Sequence, residues 1–398
     1  MSVVAAVMPP VSTVAQQPIR VMIVDDAVVV RGLVSRWVDA EPDLEIVASL
    51  RTGQDALNEL DRADPEVVLL DVEMPVLDGM ATLPLLLQRR SHLAVIMVST
   101  VTRRNAEVTL KALNLGAADY VSKPETNHEV ATSETFRYDL IEKIRHIGWR
   151  RRGRKLAPGT PVQSVPIVRP RKAFTAESQL ADGNVHALQA PQPSVELKLR
   201  PLTSAAPRVL LIGASTGGPQ ALGTVLSSLG SVIDRAPVLI TQHMPPTFTT
   251  ILAEHLTRLS GRPVREAIHG EPILAGNVYV APGGRHMRVT RTKGTAVAQI
   301  DNGPPINFCK PAINPLFASA AQVWGGWNLA VILTGMGTDG TSGAGEIVAA
   351  GGNVLAQDEA TSVIWGMPGS AAHAGHCAAV LPLERIAGKI TRLFCGDR

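Results

Sequence analysis

The sequence predicts an α/β protein with two domains, each built around a doubly wound parallel sheet. Short apolar runs alternate with helical patterns over residues 19–149, and this alternation stops over residues 150–206. It resumes with more glycine over residues 207–398. A chain of 398 residues, 45% of them hydrophobic, is long enough to bury two such cores.

Five apolar runs in the first domain are short enough to be buried strands, and each precedes a helical pattern. The predicted strands span residues 20–24, 44–50, 67–70, 94–98 and 119–122. The predicted helices span residues 28–39, 53–60, 80–90, 105–115 and 133–147. Apolar residues fill the strands without alternation, which is typical of a sheet covered by helices on both faces. Residues 1–18 form an extension outside this pattern.

Residues 150–206 open with a basic run and are then rich in proline, glutamine, serine and alanine. This composition predicts a semi-flexible basic linker. A run of this kind is more often solvated than bound to nucleic acid. Beyond the linker we predict a helix over residues 219–229. The strands predicted there span residues 209–212, 238–241, 277–280, 329–333 and 353–356.

The composition argues against several classes of protein. Three cysteines form neither a C-x-x-C motif nor an even disulfide framework, which predicts a reducing, cytoplasmic environment. No apolar run approaches the ~18 residues of a membrane helix, and the apolar start lacks the basic residues of a signal peptide. A net charge of +3 gives no argument for nucleic acid. We expect neither membrane insertion nor a nucleic-acid partner.

Charged and hydroxyl side chains follow the strands of the first domain. Asp25 and Asp26 come after the first strand and Asp71 after the third, and the carboxyl ends of parallel strands meet at one sheet edge. Clustered carboxylates repel each other unless a hard cation such as Mg²⁺ binds them. Ser99 and Lys123 end the fourth and fifth strands. A metal, a hydroxyl and an ammonium around one carboxylate suit a bound phosphoryl group.

Residues 19–145 resemble a response-regulator receiver domain through the motifs at 24–26, 71–79, 97–99 and 120–124. The resemblance implies a flavodoxin-like (β/α)5 fold, phosphorylation of Asp71 and a cis peptide bond between Lys123 and Pro124. It implies Mg²⁺ bound by Asp26, Asp71 and the Glu73 carbonyl, with Asp25 assisting through water. It implies phosphoryl-sensing roles for Ser99, Tyr120 and Lys123.

In the second domain, Ser215 lies between Gly213 and Gly217, where a predicted strand bends into a predicted helix. This arrangement matches the nucleophile-elbow pattern, in which a sharp turn lifts a reactive hydroxyl to the carboxyl end of a sheet. A glycine-rich turn with a helix-capping serine, or an anion site at a helix N-terminus, fits the same residues. The motif alone leaves these alternatives open.

A nucleophilic serine needs a base and an acid that orients the base. His243 and Asp339 each lie just past a predicted strand end, and Asp358 is the rival acid in a similar position. The order serine, histidine, aspartate differs from that of α/β-hydrolases, which argues against their esterases and lipases. The other histidines of the domain are weaker candidates in a helix or in loops: His255, His269, His286, His373 and His376.

Residues 207–395 resemble the catalytic domain of chemotaxis-type protein-glutamate methylesterases, the CheB family. The matching segments are 212–218, 242–245, 279–287, 333–340 and 356–368, and a receiver precedes them as in that family. The resemblance implies Ser215 as nucleophile, His243 as general base and Asp339 as the residue that orients it. It implies an oxyanion hole at the Met336 N–H, assisted by Thr216.

This resemblance implies a phosphorylation-activated serine esterase that serves sensory adaptation. Its substrates would be glutamate γ-methyl esters on chemoreceptor cytoplasmic helices, with release of methanol, and it would also deamidate certain receptor glutamines. A chemotaxis-type histidine kinase would donate the phosphoryl group, the receiver would need Mg²⁺, and the esterase step would use no cofactor. We expect the receiver to cover the catalytic edge until Asp71 is phosphorylated.

The chain departs from the family over residues 307–314, where Arg-Pro-Ser-Val-Asp is common. The variant positions are Cys309, Lys310, Ala312 and Asn314. We expect them to alter how substrate fits near this loop and to leave the triad unaffected.

Two functions from other classes remain as alternatives, a receiver-controlled DNA-binding protein and a non-catalytic signalling module. No helix-turn-helix pattern follows residue 206, which argues against the first. The presence of Ser215, His243 and Asp339 argues against the second.

Overall fold

The computed structural model describes residues 17–123, 134–156 and 197–396, with the side chains of residues 151 and 153–156 left out. The first domain contains a five-stranded parallel sheet in the order β2-β1-β3-β4-β5. Its strands are β1 Ile19–Val24, β2 Leu44–Leu50, β3 Val67–Asp71, β4 Ala94–Thr100 and β5 Asp119–Lys123. This is the flavodoxin-like order that the resemblance to receiver domains implied.

Five helices of the first domain are described. They are α1 Val28–Asp39, α2 Gly53–Ala63, α3 Gly79–Arg89, α4 Arg103–Asn114 and α5 Glu134–Leu156. Side-chain oxygens cap three of them: Thr52 at α2, Asp78 at α3 and Thr102 at α4. Such caps satisfy backbone N–H groups that have no partner inside the helix, so the sequence itself fixes where these helices begin.

The last helix of the first domain extends past residue 150, where the linker is predicted to begin. Helix α5 continues through the basic run to Leu156, because arginine and lysine favour helix even where the apolar period has ended. The rest of the predicted linker up to residue 196, like residues 1–16 of the extension, lies outside the described residues. Neither α5 nor another helix of the described segments has the length and apolarity needed to cross a membrane.

The second domain contains a seven-stranded parallel sheet in the order β14-β13-β12-β6-β7-β9-β8. Its strands are β6 Val209–Ala214, β7 Val238–Gln242, β8 Val264–Glu266, β9 Val278–Val280, β12 Asn328–Ile332, β13 Asn353–Gln357 and β14 Ala379–Leu381. An antiparallel hairpin, β10 His286–Thr292 and β11 Thr295–Asp301, stands apart from the sheet. The sequence patterns did not predict β8, β14 or this hairpin.

Helices cover both faces of this second sheet. They are α6 Gly218–Leu226, α7 Gly230–Ile233, α8 Phe248–Ser260, α9 Ile313–Trp324, α10 Thr341–Ala349, α11 Gly366–His373 and α12 Leu383–Cys395. The helix predicted over 219–229 ends at Leu226, and a separate short helix begins at Gly230. Strand β6 lies between β7 and β12, so the chain changes direction across the sheet there. Ligand sites in open α/β sheets lie at such a switch point, beyond the carboxyl ends of the strands.

The two domains pack together through α4, β5 and α5 of the first domain. Tyr120 on β5 stacks on Phe248 at the start of α8, with ring centroids 5.0 Å apart and an interplanar angle of 5°. Arg103 on α4 forms an ion pair of 2.9 Å with Glu254 on α8. The contact face of the first domain is therefore the face next to the end of β5.

A buried ion-pair cluster fixes α5 against β5. The ammonium of Lys143 lies 3.0 Å from Asp119 and 3.2 Å from Asp139, and it donates a 2.7 Å hydrogen bond to the Tyr120 carbonyl. Burial opposes the charge on Lys143, but the two carboxylates outweigh it and raise the pKa of the lysine.

Replacing Lys143 with methionine should destabilise the first domain, because Asp119 would stay buried without its cation. Breaking one side of a buried pair costs about 3–5 kcal/mol. Chemical denaturation of the full chain, followed for the first domain's transition, measures this loss. The same change at exposed Lys111 is the matched control and should have little effect. Equal stability of the two variants would show that the cluster contributes nothing to the fold.

Candidate active site

Ser215 lies one residue beyond β6, in a turn that neighbouring strands hold from both sides. Its N–H donates to the Thr334 carbonyl at 3.0 Å. Its carbonyl accepts from the Gln242 side chain at 2.9 Å and from the Gly218 N–H at 2.7 Å. Gln242 is buried at the end of β7, and the sequence analysis gave it no role. These bonds fix the position of the serine relative to β7 and β12.

The geometry of this turn removes the helix-capping alternative. Gly217 caps α6 with a φ of 73°, and no side chain caps that helix. The residue of the turn with a positive φ is thus the glycine, not Ser215. A Cβ on Gly218 would lie 2.0 Å from the Gln242 amide oxygen, so a residue without a side chain is needed for Gln242 to reach the turn.

The structure brings His243 and Asp339 together. The Nε2 atom of His243 lies 2.8 Å from the Asp339 carboxylate, and both side chains are largely buried. Asp358, the rival acid, instead accepts hydrogen bonds from the Thr361 N–H and hydroxyl at 3.0 and 2.6 Å. The geometry therefore pairs the histidine with the aspartate of the glycine-flanked loop.

Backbone N–H groups hold Asp339 in its charged form. The carboxylate accepts from Ile313 at 2.6 Å and Asn314 at 3.2 Å, at the start of α9, and from Gly340 at 2.9 Å. Burial would raise the pKa of Asp339, but His243 and these N–H groups lower it below its usual value. A helix N-terminus adds a favourable positive potential.

The second ring nitrogen of His243 contacts a cysteine. The Cys309 sulfur lies 3.3 Å from Nδ1. Burial opposes a charge on His243, but Cys309 and Asp339 outweigh it and raise its pKa to about 10. The Ser215 hydroxyl makes no hydrogen bond to any residue that the structure describes. Serine and histidine thus face the same cavity of about 620 Å³ without a hydrogen bond between them.

The residues expected at the oxyanion hole lie at the same place. Met336 lines the cavity, and Thr216 is buried next to the nucleophile with a hydroxyl that finds no partner among the described residues. Within those residues, the N–H groups of Met336 and Thr216 also donate no hydrogen bond. Free donors beside a nucleophile can stabilise a developing oxyanion.

The departures from the family pattern lie closer to the triad than expected. Cys309 contacts His243, and the Asn314 amide oxygen accepts from the N–H groups of Gly340 and Gly343 beside Asp339, at 3.1 and 2.8 Å. Cys309 and Asn314 therefore lie beside triad residues, and the effect of the four variants on substrate fit stays a prediction. Lys310 instead donates to the Asn302 side chain at 2.7 Å.

Two histidines expected in loops lie in regular structure. His286 begins β10 and is buried. Its ring accepts a 3.1 Å hydrogen bond from the N–H of Ala312, another variant position, and its other nitrogen lies 2.9 Å from the Pro304 carbonyl. His373 ends α11. His286 therefore supports the segment before α9, and the strand that carries it was too exposed along its length to be predicted.

The carboxylates of the first domain meet at the end of their sheet. One ligand oxygen from each of Asp25, Asp26 and Asp71 lies within 4.8 Å of the others. Lys123 lies 2.9 Å from Asp71 and 3.3 Å from Asp25. Burial raises the pKa of Asp71 to about 7, against the lowering effect of Lys123. An all-oxygen set of this kind fits Mg²⁺, which prefers carboxylate ligands and retained waters.

The remaining residues predicted for metal binding and phosphoryl sensing lie nearby on the same sheet edge. Glu73 and Asp26 line one open cavity of about 500 Å³. Ser99 is fully buried, and Tyr120 is buried against the second domain. Pro124 lies outside the described residues, so the expected cis bond before it is not observed.

The first domain closes one side of the cavity that holds Ser215 and His243. Seven of the lining residues come from β5 and α5: Tyr120, Ser122, Thr135, Phe136, Tyr138, Asp139 and Lys143. The ring of Tyr138 packs against Phe308 with centroids 5.2 Å apart. The expectation that the first domain covers the catalytic edge matches this arrangement.

Two family models match the chain. The model for the response regulator receiver domain matches residues 21–133, and the model for CheB methylesterase matches residues 210–390. A protein-glutamate methylesterase/protein-glutamine glutaminase of Rhodopseudomonas palustris strain HaA2 is 56% identical over 100% of both chains. One from Nitrobacter hamburgensis is 58% identical over 96% of each chain.

Two solved structures from Thermotoga maritima are also similar. The CheB methylesterase catalytic domain is 39% identical, covers 48% of this chain and all of its own, and gives a TM-score of 0.46. The CheB response regulator domain is 35% identical, covers 32% of this chain and 95% of its own, and gives a TM-score of 0.29. The full-length relatives and the two family models show that the chain belongs to the CheB family of protein-glutamate methylesterases/protein-glutamine glutaminases.

Proposed function

We propose that the chain is a phosphorylation-activated serine esterase that hydrolyses glutamate γ-methyl esters on the cytoplasmic helices of chemoreceptors. The same site deamidates certain receptor glutamines, and both reactions serve sensory adaptation. The observation that carries the proposal is the 2.8 Å contact between His243 and Asp339 in the cavity that Ser215 lines. The full-length relatives carry both activities in their names, and neither alternative function accounts for this site.

In this mechanism the Ser215 hydroxyl attacks the γ-carbonyl carbon while His243 accepts its proton. Charge develops on the carbonyl oxygen, where the N–H groups of Met336 and Thr216 are free to donate. His243 returns the proton to the leaving oxygen, and methanol departs. Water then attacks the acyl-enzyme by the reverse route and leaves glutamate. With a glutamine substrate, ammonia leaves instead of methanol.

Control of this site begins at Asp71, whose carboxylate accepts a phosphoryl group from a chemotaxis-type histidine kinase. Asp25, Asp26 and Asp71, with the Glu73 carbonyl, would hold Mg²⁺, which neutralises charge during phosphoryl transfer. Lys123 already lies 2.9 Å from Asp71 and compensates the added charge. Ser99 and Tyr120 respond to the phosphoryl group, and Tyr120 lies at the domain interface. The first domain then moves away from the cavity.

Replacing Ser215 with alanine should reduce methanol release from methylated receptor by roughly 10⁴-fold or more, because triad members act as a unit. His243→Ala should cause a similar loss. Asp358→Asn is the matched control, since this carboxylate bonds within its own loop, and it should retain activity. A Ser215→Ala protein that releases methanol at a near-normal rate would exclude the proposed nucleophile.

Asp71→Asn should remove activation by a small phosphodonor such as acetyl phosphate. The wild type should gain roughly 5- to 100-fold in methanol release, the usual range for coupling between two sites. The variant should stay at the basal rate with or without the phosphodonor and Mg²⁺. Equal activation of both proteins would show that control does not pass through Asp71.

Charge reversal at the domain interface tests the covering role of the first domain. Arg103→Glu places a like charge beside Glu254 and should raise basal methanol release about fivefold, since such a contact is worth about 1 kcal/mol. The swapped pair, Arg103→Glu with Glu254→Arg, restores the attraction and should return the basal rate to the wild-type value. If the single variant is unchanged or slower, packing at this interface does not limit access.

A further inference from the structure

Cys309 occupies the ring nitrogen of His243 that the proposed mechanism needs. Asp339 bonds Nε2, so Nδ1 is the atom left to accept a proton from Ser215. The Cys309 sulfur lies 3.3 Å from that atom. Within the described residues, the hydroxyl of Ser215 has no hydrogen-bond partner. The thiol therefore stands where the nucleophile would bind in a working triad.

A tight turn places the thiol at this position. Ile306 and Cys309 exchange two backbone hydrogen bonds, of 3.0 and 2.8 Å. The two residues between them, Asn307 and Phe308, have left-handed φ values of 50° and 63°. A two-residue turn of this type requires positive φ at both positions, which asparagine tolerates and an aromatic residue disfavours. The conformation at Phe308 therefore depends on contacts made around it.

The first domain supplies a contact to the same turn. Phe308 projects from it with 68% of its surface exposed, and Tyr138 of α5 packs against its ring at 5.2 Å. The backbone of this turn thus joins a receiver side chain on one side to the sulfur beside His243 on the other. If the receiver moves away, Phe308 loses this partner.

We propose that Cys309 is a positioning residue that withholds His243 from Ser215 while the receiver is docked. The contact between Tyr138 and Phe308 makes the conformation of the turn depend on whether the receiver is docked. The receiver then controls the enzyme in two ways, since it covers the cavity and also keeps the base engaged. When the receiver leaves, the turn relaxes and Nδ1 becomes available to the serine. This inference rests on the proposed role of His243 as general base.

The charge state of His243 agrees with this arrangement. Cys309 and Asp339 together raise its pKa to about 10 despite burial, and a protonated imidazole cannot accept a proton from serine. The other titratable groups that line the cavity are Lys310 and the receiver's Tyr120, Tyr138, Asp139 and Lys143. Removal of the thiol takes away one of the two groups that favour the protonated ring.

The test is the rate at which a small dialkyl fluorophosphate labels the full-length, unphosphorylated protein. Cys309→Ala should be labelled at least fivefold faster than the wild type, and the acid limb of its pH–rate profile should move to lower pH. Cys309→Ser retains a hydroxyl that can bond Nδ1 and should stay near the wild-type rate. Cys395→Ala is the matched control, because this thiol is exposed and remote from the site.

Two further variants test the link to the receiver. Phe308→Ala removes the ring but keeps a side chain that disfavours the left-handed turn, and Tyr138→Ala removes the same contact from the other domain. Both should accelerate labelling, and Tyr138→Ala should add less in the Cys309→Ala background than in the wild type. If the effects of Tyr138→Ala and Cys309→Ala on the labelling rate are fully additive, the turn does not link receiver docking to His243.

Several outcomes would overturn the inference, and they differ from failure of the proposed function. Suppose that Cys309→Ala is labelled at the wild-type rate and the acid limb of its pH–rate profile does not shift. If Ser215→Ala and His243→Ala abolish labelling, this result would exclude the proposed role of the thiol. Labelling of Ser215→Ala that depends on Cys309 would make the thiol a nucleophile instead. Normal labelling of both Ser215→Ala and His243→Ala would refute the proposed function itself.

Discussion

The catalytic site depends on one buried charge, the carboxylate of Asp339. Its oxygens accept from His243 and from N–H groups at the start of α9 and in its own loop. Burial alone would favour the neutral acid, and the sum of these donors reverses that preference. Because each donor comes from a different segment, the carboxylate also fixes the segments relative to one another. A neutral side chain of the same shape would leave several buried N–H groups with weaker partners.

The two buried aspartates show that neighbouring groups decide whether burial raises or lowers the pKa of a carboxyl. Asp71 and Asp339 are both almost fully buried, at 3% and 2% exposure, beyond parallel strands. Asp71 lies among other carboxylates and has a raised pKa despite Lys123, whereas Asp339 is surrounded by donors and has a lowered one. The first is a site where added positive charge relieves the repulsion between carboxylates. The second stays an anion, and in the proposed mechanism it orients the base His243.

The strand-end residues could be predicted because parallel sheets bring the carboxyl ends of their strands together, whatever the intervening helices contain. This rule predicts from the sequence alone that Ser215, His243 and Asp339 lie in one region. It could not find β8 or β14, which have three residues each, nor the end of α5, where charged residues extend a helix without an apolar period. The contact of Cys309 depends on a turn with two left-handed residues, and no periodicity signals such a conformation.

Asp71 and the proposed base His243 are linked by few contacts, because residues of β5 touch both Asp71 and the second domain. Lys123 and Tyr120 lie on this strand, and the Tyr120 ring stacks on Phe248, which follows the loop that carries His243. Phe248 is fully buried and Tyr120 is 5% exposed. Closely packed rings cannot rotate independently, since a gap of less than one ångström already forfeits much of their dispersion energy. In the proposed control, a change of rotamer at Tyr120 would therefore require the interface to separate, so that sensing of the phosphoryl group and release of the catalytic edge would be one event.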